Sequence, residues 1–208
     1  MRLKGMLSIL SMTLLFLAGC SFLYGKPAPP ESSSIVDVTA AEEVWEVPSF
    51  SGVTHEEKQW STDDMKGKWW LTKTIFTRCP TVCTVMTPNM VQLQEAIEKE
   101  GLDVQIVSFT VDPEFDTPER LKDYGEAYEA NLETWDFITG YTEEELKDFV
   151  FEAMKQNIIK IPDQNDIGHP TRFYLVNPDG EIVRMYEGEA NFDLDAYIAD
   201  LKQLVSKK

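Results

Sequence analysis

Two apolar runs of eight residues, Trp69 to Phe76 and Val104 to Val111, constrain this chain most, because each is followed downstream by a Thr-Pro pair. Runs this long and apolar suit strands buried on both faces of a sheet. Thr87-Pro88 and Thr117-Pro118 have the form of a helix N-cap with proline at the first helical position. Met90, Leu93 and Ile97 continue with helical spacing as far as Gly101, a C-cap candidate. The second helix is expected to end near Asn131. A strand–helix–strand–helix order joins its strands in parallel and covers both faces of the sheet.

The flanking segments extend this pattern. Trp45 to Phe50 and His55 to Trp60 are expected to form a hairpin around Ser51-Gly52. Trp135 to Ile138 is a short strand. Thr142 with Glu145 forms a capping box for a helix to about Gln156. Arg172 to Asn177 and Glu181 to Tyr186 flank the turn signal Pro178-Asp179-Gly180. Phe192 to Val205 is a closing amphipathic helix. The expectation is an α/β fold with a thioredoxin-like central sheet, flanking helices and an N-terminal β-hairpin.

The beginning of the chain has a different character. Arg2 and Lys4 precede an apolar stretch, Met6 to Ala18, that is short for a membrane span. Ala18-Gly19 then leads into Cys20. Residues 1–19 are expected to be a lipoprotein signal peptide, with lipid on the Cys20 sulfur, and two acyl chains suffice for stable anchoring. Residues 20–44 hold Pro27, Pro29, Pro30 and Ser32-Ser33-Ser34, and are expected to be a tether. Residues 45–208 amount to one domain.

Charge narrows the partners. The chain has 36 Asp+Glu against 19 Lys+Arg. Loss of the signal removes Arg2 and Lys4, so 17 basic residues then face 36 acidic ones, a net charge of −19. Such an acidic protein does not suit nucleic acid or anionic lipid surfaces.

The chain holds three cysteines and two histidines. With Cys20 assigned to lipid, Cys79 and Cys83 remain. A disulfide closing so small a loop contributes little entropy of closure, so chemistry suits the pair better than stapling. At this spacing the two thiols can form a disulfide or hold one soft metal ion. Pro88 is expected to exclude both from the main helix, placing them in a turn or short helical segment before it. A helix N-terminus nearby favours thiolate.

Functional groups on a parallel sheet gather at the carboxyl ends of its strands. Cys79 follows one such strand and Asp112 the next. His169 precedes a strand expected to run antiparallel, so it should reach the same edge. Two thiolates and one imidazole suit copper, as Cu(I) or Cu(II), whereas structural zinc normally takes a fourth protein ligand. Met86 reads as core rather than ligand, and His55 as an ordinary hairpin residue.

The chain resembles the Sco/SenC family of membrane-anchored copper proteins. The resemblance lies in Phe76-Thr-Arg-Cys79-Pro-Thr-Val-Cys83, Val111-Asp112-Pro113-Glu114-Phe-Asp116-Thr117-Pro118, Trp135-Asp136-Phe137, and His169 ahead of Phe173-Tyr174-Leu175-Val176-Asn-Pro178-Asp179-Gly180. It implies copper held by Cys79, Cys83 and His169, and a role in building the dinuclear CuA centre of cytochrome c oxidase. It also implies subunit II of the oxidase as partner and a location on the outer face of the bacterial cytoplasmic membrane. Asp112 is a candidate to tune the site or simply a turn residue. Asp116 reads as a turn and cap residue. Thr84 stands where many relatives carry proline.

Proline at position 170 departs from the family pattern. Thioredoxin-like oxidoreductases place a cis-proline opposite their cysteine pair, so the His169–Pro170 bond is expected to be cis. A competing function is thiol–disulfide exchange, with Cys79 attacking and Cys83 resolving the mixed disulfide. A peroxidase reading lacks a supporting motif around Cys79. His169 separates the first two readings, since exchange does not need it.

Overall fold

The computed structural model describes residues 34–161 and 166–205. Its centre is an eight-stranded sheet built from β1 (Ile35–Asp37), β2 (Ser51–Thr54), β3 (Gln59–Ser61), β4 (Trp69–Ile75), β5 (Val104–Thr110), β6 (Trp135–Thr139), β9 (Arg172–Val176) and β10 (Ile182–Glu187). The spatial order is β1-β10-β9-β4-β5-β6-β2-β3. A separate two-stranded hairpin joins β7 (Ile159–Ile161) to β8 (Asp166–Gly168).

β4, β5 and β6 are parallel, in the register Trp69 with Val104 and Ile106 with Trp135. β9 runs antiparallel to β4. The start of β9 therefore meets the end of β4, the edge on which the site was expected. Three helices connect strands, α1 (Cys83–Lys99), α2 (Pro118–Ala127) and α3 (Glu143–Met154), and α4 (Leu194–Val205) follows the last strand. Every residue of β4 after Trp69 is buried, as is nearly all of β5. The α/β, thioredoxin-like expectation holds, with α1 packed on α4 and α2 on β6.

The caps explain where two helices begin. Thr117 accepts from the Arg120 amide with Pro118 at the first helical position. Thr142 accepts from the Glu145 amide while the Glu145 carboxylate accepts from the Thr142 amide, closing the capping box.

Thr87-Pro88 behaves differently. α1 begins at Cys83, so Pro88 lies inside it and Cys83 belongs to the main helix. The missing proline amide deprives the Thr84 carbonyl of its helical partner. Thr84 is exposed, so water can take that place. The Thr87 hydroxyl, free of capping, bonds Lys73 Nζ at 2.8 Å and the Tyr124 hydroxyl at 2.6 Å.

The first hairpin also differs from expectation. Its turn spans His55 to Lys58, with Glu57 at φ 60°, and does not fall at Ser51-Gly52. Gly52 sits inside β2, where a Cβ would lie 2.6 Å from the Thr139 carbonyl oxygen. Its purpose is close approach to β6 rather than turning. Within the stretch expected as tether, β1 pairs with β10, Ile35 opposite Tyr186. The signal segment and Cys20 lie outside the described residues.

Candidate metal centre

β4 ends at Ile75, and Phe76 to Val82 form the loop that carries Cys79 to the top of α1. Two carboxylates of the neighbouring β5 end fix this loop. Asp116 is fully buried and accepts from the Thr77 amide (3.1 Å), from the Thr77 hydroxyl (2.5 Å) and from the Thr110 hydroxyl. Burial raises its pKa above the usual carboxylate value. Asp112, also buried, accepts from Arg78 Nε at 2.6 Å. The Arg78 guanidinium lies over the Phe115 ring at 4.3 Å. Asp112 thus holds Arg78, the residue next to Cys79.

The helix start shapes the thiols. Val82 offers no side-chain cap to the first-turn amides. Cys79 Sγ accepts one of them, the Cys83 N–H, at 3.4 Å. A hydrogen bond from the Cys83 thiol, aided by backbone amides, pulls the Cys79 pKa down to about 3 against the opposing effect of burial. The same hydrogen bond and burial push the Cys83 thiol well up. The pair thus carries one thiolate, half-buried Cys79, and one buried thiol. Both are free cysteines, uncrosslinked in this state.

His169 completes the set. Its Nε2 is 3.8 Å from Cys83 Sγ. Its Nδ1 is 2.9 Å from the Pro170 carbonyl oxygen and 2.9 Å from the Thr74 hydroxyl. A carbonyl oxygen only accepts, so Nδ1 carries the ring hydrogen. Nε2 then presents its lone pair to the cysteines, the tautomer a metal ligand needs. Thr74 Oγ1 donates to the same carbonyl at 3.3 Å. Phe76 packs edge-on to the imidazole at 5.9 Å. The ligand atoms of Cys79, Cys83 and His169 all lie within 4.8 Å of one another. Two soft sulfurs and one neutral imidazole nitrogen fit copper, with no carboxylate in the cluster to favour a hard ion.

The cis-proline expectation is overturned. No cis peptide bond occurs among the described residues, so His169–Pro170 is trans, the isomer that X–Pro bonds favour by ~0.5–1 kcal/mol. The imidazole faces the cysteines, and the Pro170 carbonyl serves to orient it. Met86 is fully buried in the core, as expected. His55 is more deeply packed than a hairpin position suggests. It is 3% exposed, and its Nδ1 accepts from the Phe137 amide at 3.3 Å.

Three residues of the site were not anticipated: Thr74, Arg78 and Lys73. Lys73 is fully buried in β4. Burial brings its ammonium down to about 7, while the Cys83 and Cys79 sulfurs hold it up. A lysine inside an apolar strand was the available signal. The β7–β8 hairpin also borders the site, for Thr81 Oγ1 donates to Asp166 at 3.0 Å.

Comparison with known proteins agrees with this geometry. The SCO1/SenC family model matches residues 39–206. A SCO1/SenC family lipoprotein from Bacillus anthracis str. Ames superposes with a TM-score of 0.73 at 36% identity, covering 77% of this chain and 95% of that one. BsSco, a member of the Sco family of cytochrome c oxidase assembly proteins in which a disulfide switch was identified, gives a TM-score of 0.72 at 38% identity over 79% and 96%. Arabidopsis thaliana ScoI with copper bound gives 0.66 at 24% identity over 77% and 98%, a likeness of fold.

Proposed function

Because the chain belongs to the SCO1/SenC family, we propose that it binds copper through Cys79, Cys83 and His169 and assists assembly of cytochrome c oxidase. The observation that carries this reading is the convergence of three donors from a loop, a helix start and a strand start within 4.8 Å. Disulfide exchange alone would need no imidazole there.

Copper is cargo in this reading, and the chain's residues hold it for transfer. Cys79, half-buried and anionic, is the ligand a recipient protein can reach. Cys83 and His169 are buried and form the fixed side of the site. The recipient is subunit II of the oxidase, and the centre filled is CuA. Cys20 anchors the protein by lipid on the outer face of the bacterial cytoplasmic membrane, and residues 20–44 tether the domain. The test is a strain in which Cys79→Ser/Cys83→Ser replaces the native chain. Its oxidase should lack the CuA absorption while the protein level is normal. An oxidase with full CuA content would reject the reading.

A second role is supported by the uncrosslinked pair with its one thiolate. The same two cysteines can reduce a disulfide in the recipient before copper moves. Two electrons pass from the dithiol to that disulfide, leaving Cys79 and Cys83 joined.

A further inference from the structure

Lys73 is an amine placed where a protein rarely tolerates one. It sits in the middle of β4 with no exposed surface. Its Nζ donates to the Thr87 hydroxyl at 2.8 Å and lies 5.6 Å from the centre of the Trp135 ring. Thr87 is one helical turn beyond Cys83 on the buried face of α1. The ammonium therefore lies beneath the first turn that carries the ligand.

A buried charge is costly without a partner of opposite sign. Among the described residues no carboxylate pairs with Lys73, whereas the half-buried Arg172 and Arg184 each have one. The groups whose charge acts on Lys73 are Cys83 and Cys79. Its other neighbours, Thr87, Trp135 and, through Thr87, Tyr124, carry no charge.

We propose that Lys73 is a built-in counter-charge that biases the Cys79–Cys83–His169 site towards monovalent over divalent copper. This rests on the copper reading given above. Two thiolates, a neutral imidazole and a monovalent ion together carry one negative charge, which Lys73 cancels. With a divalent ion the ligand set is already neutral, and Lys73 leaves one buried positive charge. Lys73 is a positioning residue, acting through the charge of the ligand set and not as a ligand.

The test is competitive titration of the full chain and of Lys73→Met with Cu(I), under anaerobic conditions, and separately with Cu(II). The variant should bind Cu(I) about tenfold or more weakly, while its Cu(II) affinity is unchanged or higher. Lys73→Gln, which keeps a donor for Thr87 without the charge, should behave alike and serves if the methionine variant fails to fold. Equal weakening towards both ions, as a packing defect would produce, overturns the proposal. So does an unaltered Cu(I) affinity. If the native chain itself binds neither ion, the copper reading fails, which is a different result.

Discussion

His169 Nε2 faces Cys83 Sγ at 3.8 Å, although 86 residues separate them in the chain. The contact exists because β9 runs antiparallel to β4, so the approach to one strand meets the exit from the other. Removing the imidazole should therefore damage metal binding selectively. His169→Ala is expected to weaken copper affinity by at least about 100-fold, beyond the ~10–100-fold loss typical of outer partners. The rate at which the Cys79–Cys83 disulfide is reduced by a small dithiol should change little. Chelator competition and a stopped-flow reduction assay measure the two effects side by side.

Thr74 holds the far side of the same ring. Its hydroxyl and the Pro170 carbonyl both face Nδ1 at 2.9 Å. Thr74→Val keeps the volume and removes the hydroxyl. Copper affinity should fall about 10-fold or more through loss of ring orientation, with the fold intact by circular dichroism. A wild-type affinity would show that the Pro170 carbonyl suffices alone.

Asp116 couples the cysteine loop to pH. Burial raises its folded pKa above the ordinary 3.8. The folded state thus holds this proton more tightly than the unfolded chain does. Its stabilising contribution is fully present below pH 3.8 and is lost as pH rises through the folded value. Asp116→Asn should flatten this part of the stability profile. It should also cost about 1–3 kcal/mol at neutral pH, because an amide cannot accept at both positions. Urea unfolding at a series of pH values from about 4 to 7 checks both, spanning the rise above the unfolded carboxyl pKa.

Gly188 lies against the segment that leads from His169 into β9. A Cβ there would stand 2.5 Å from the Thr171 carbonyl oxygen and 2.9 Å from Met86 Cε. The Gly188 amide donates to that same carbonyl at 3.1 Å. Backbone must move to admit a methyl group, so Gly188→Ala should lower stability by about 1–3 kcal/mol. Chemical denaturation measures it, and a stability equal to that of the unaltered chain would mean the segment yields freely.

The buried centre of the fold was legible in the sequence because hydrophobicity dominates there. β4 and β5 fall where the two apolar runs lie, and the Thr117 and Thr142 caps are local chemistry that needs no distant partner. Thr87-Pro88 misled because the same dipeptide that caps α2 lies inside α1. What distinguishes them is tertiary, namely the Lys73 ammonium and Tyr124 hydroxyl that engage Thr87. Gly52 misled in the same way, since the strand that requires its small size is 87 residues away. The convergence of Cys79, Cys83 and His169 was legible from strand-end topology and family motifs. Thr74 was not, because nothing local connects a threonine in a strand to an imidazole 95 residues on.

The central claim is that Cys79, Cys83 and His169 form one copper site. The most direct measurement is copper titration of the reduced full chain, followed by absorption and EPR, beside Cys79→Ser/Cys83→Ser. The account predicts a tight one-to-one complex with sulfur-to-Cu(II) charge transfer, absent from the variant. Weak, unsaturable binding in both proteins, together with a readily reduced Cys79–Cys83 disulfide, would contradict it and leave thiol–disulfide exchange as the function.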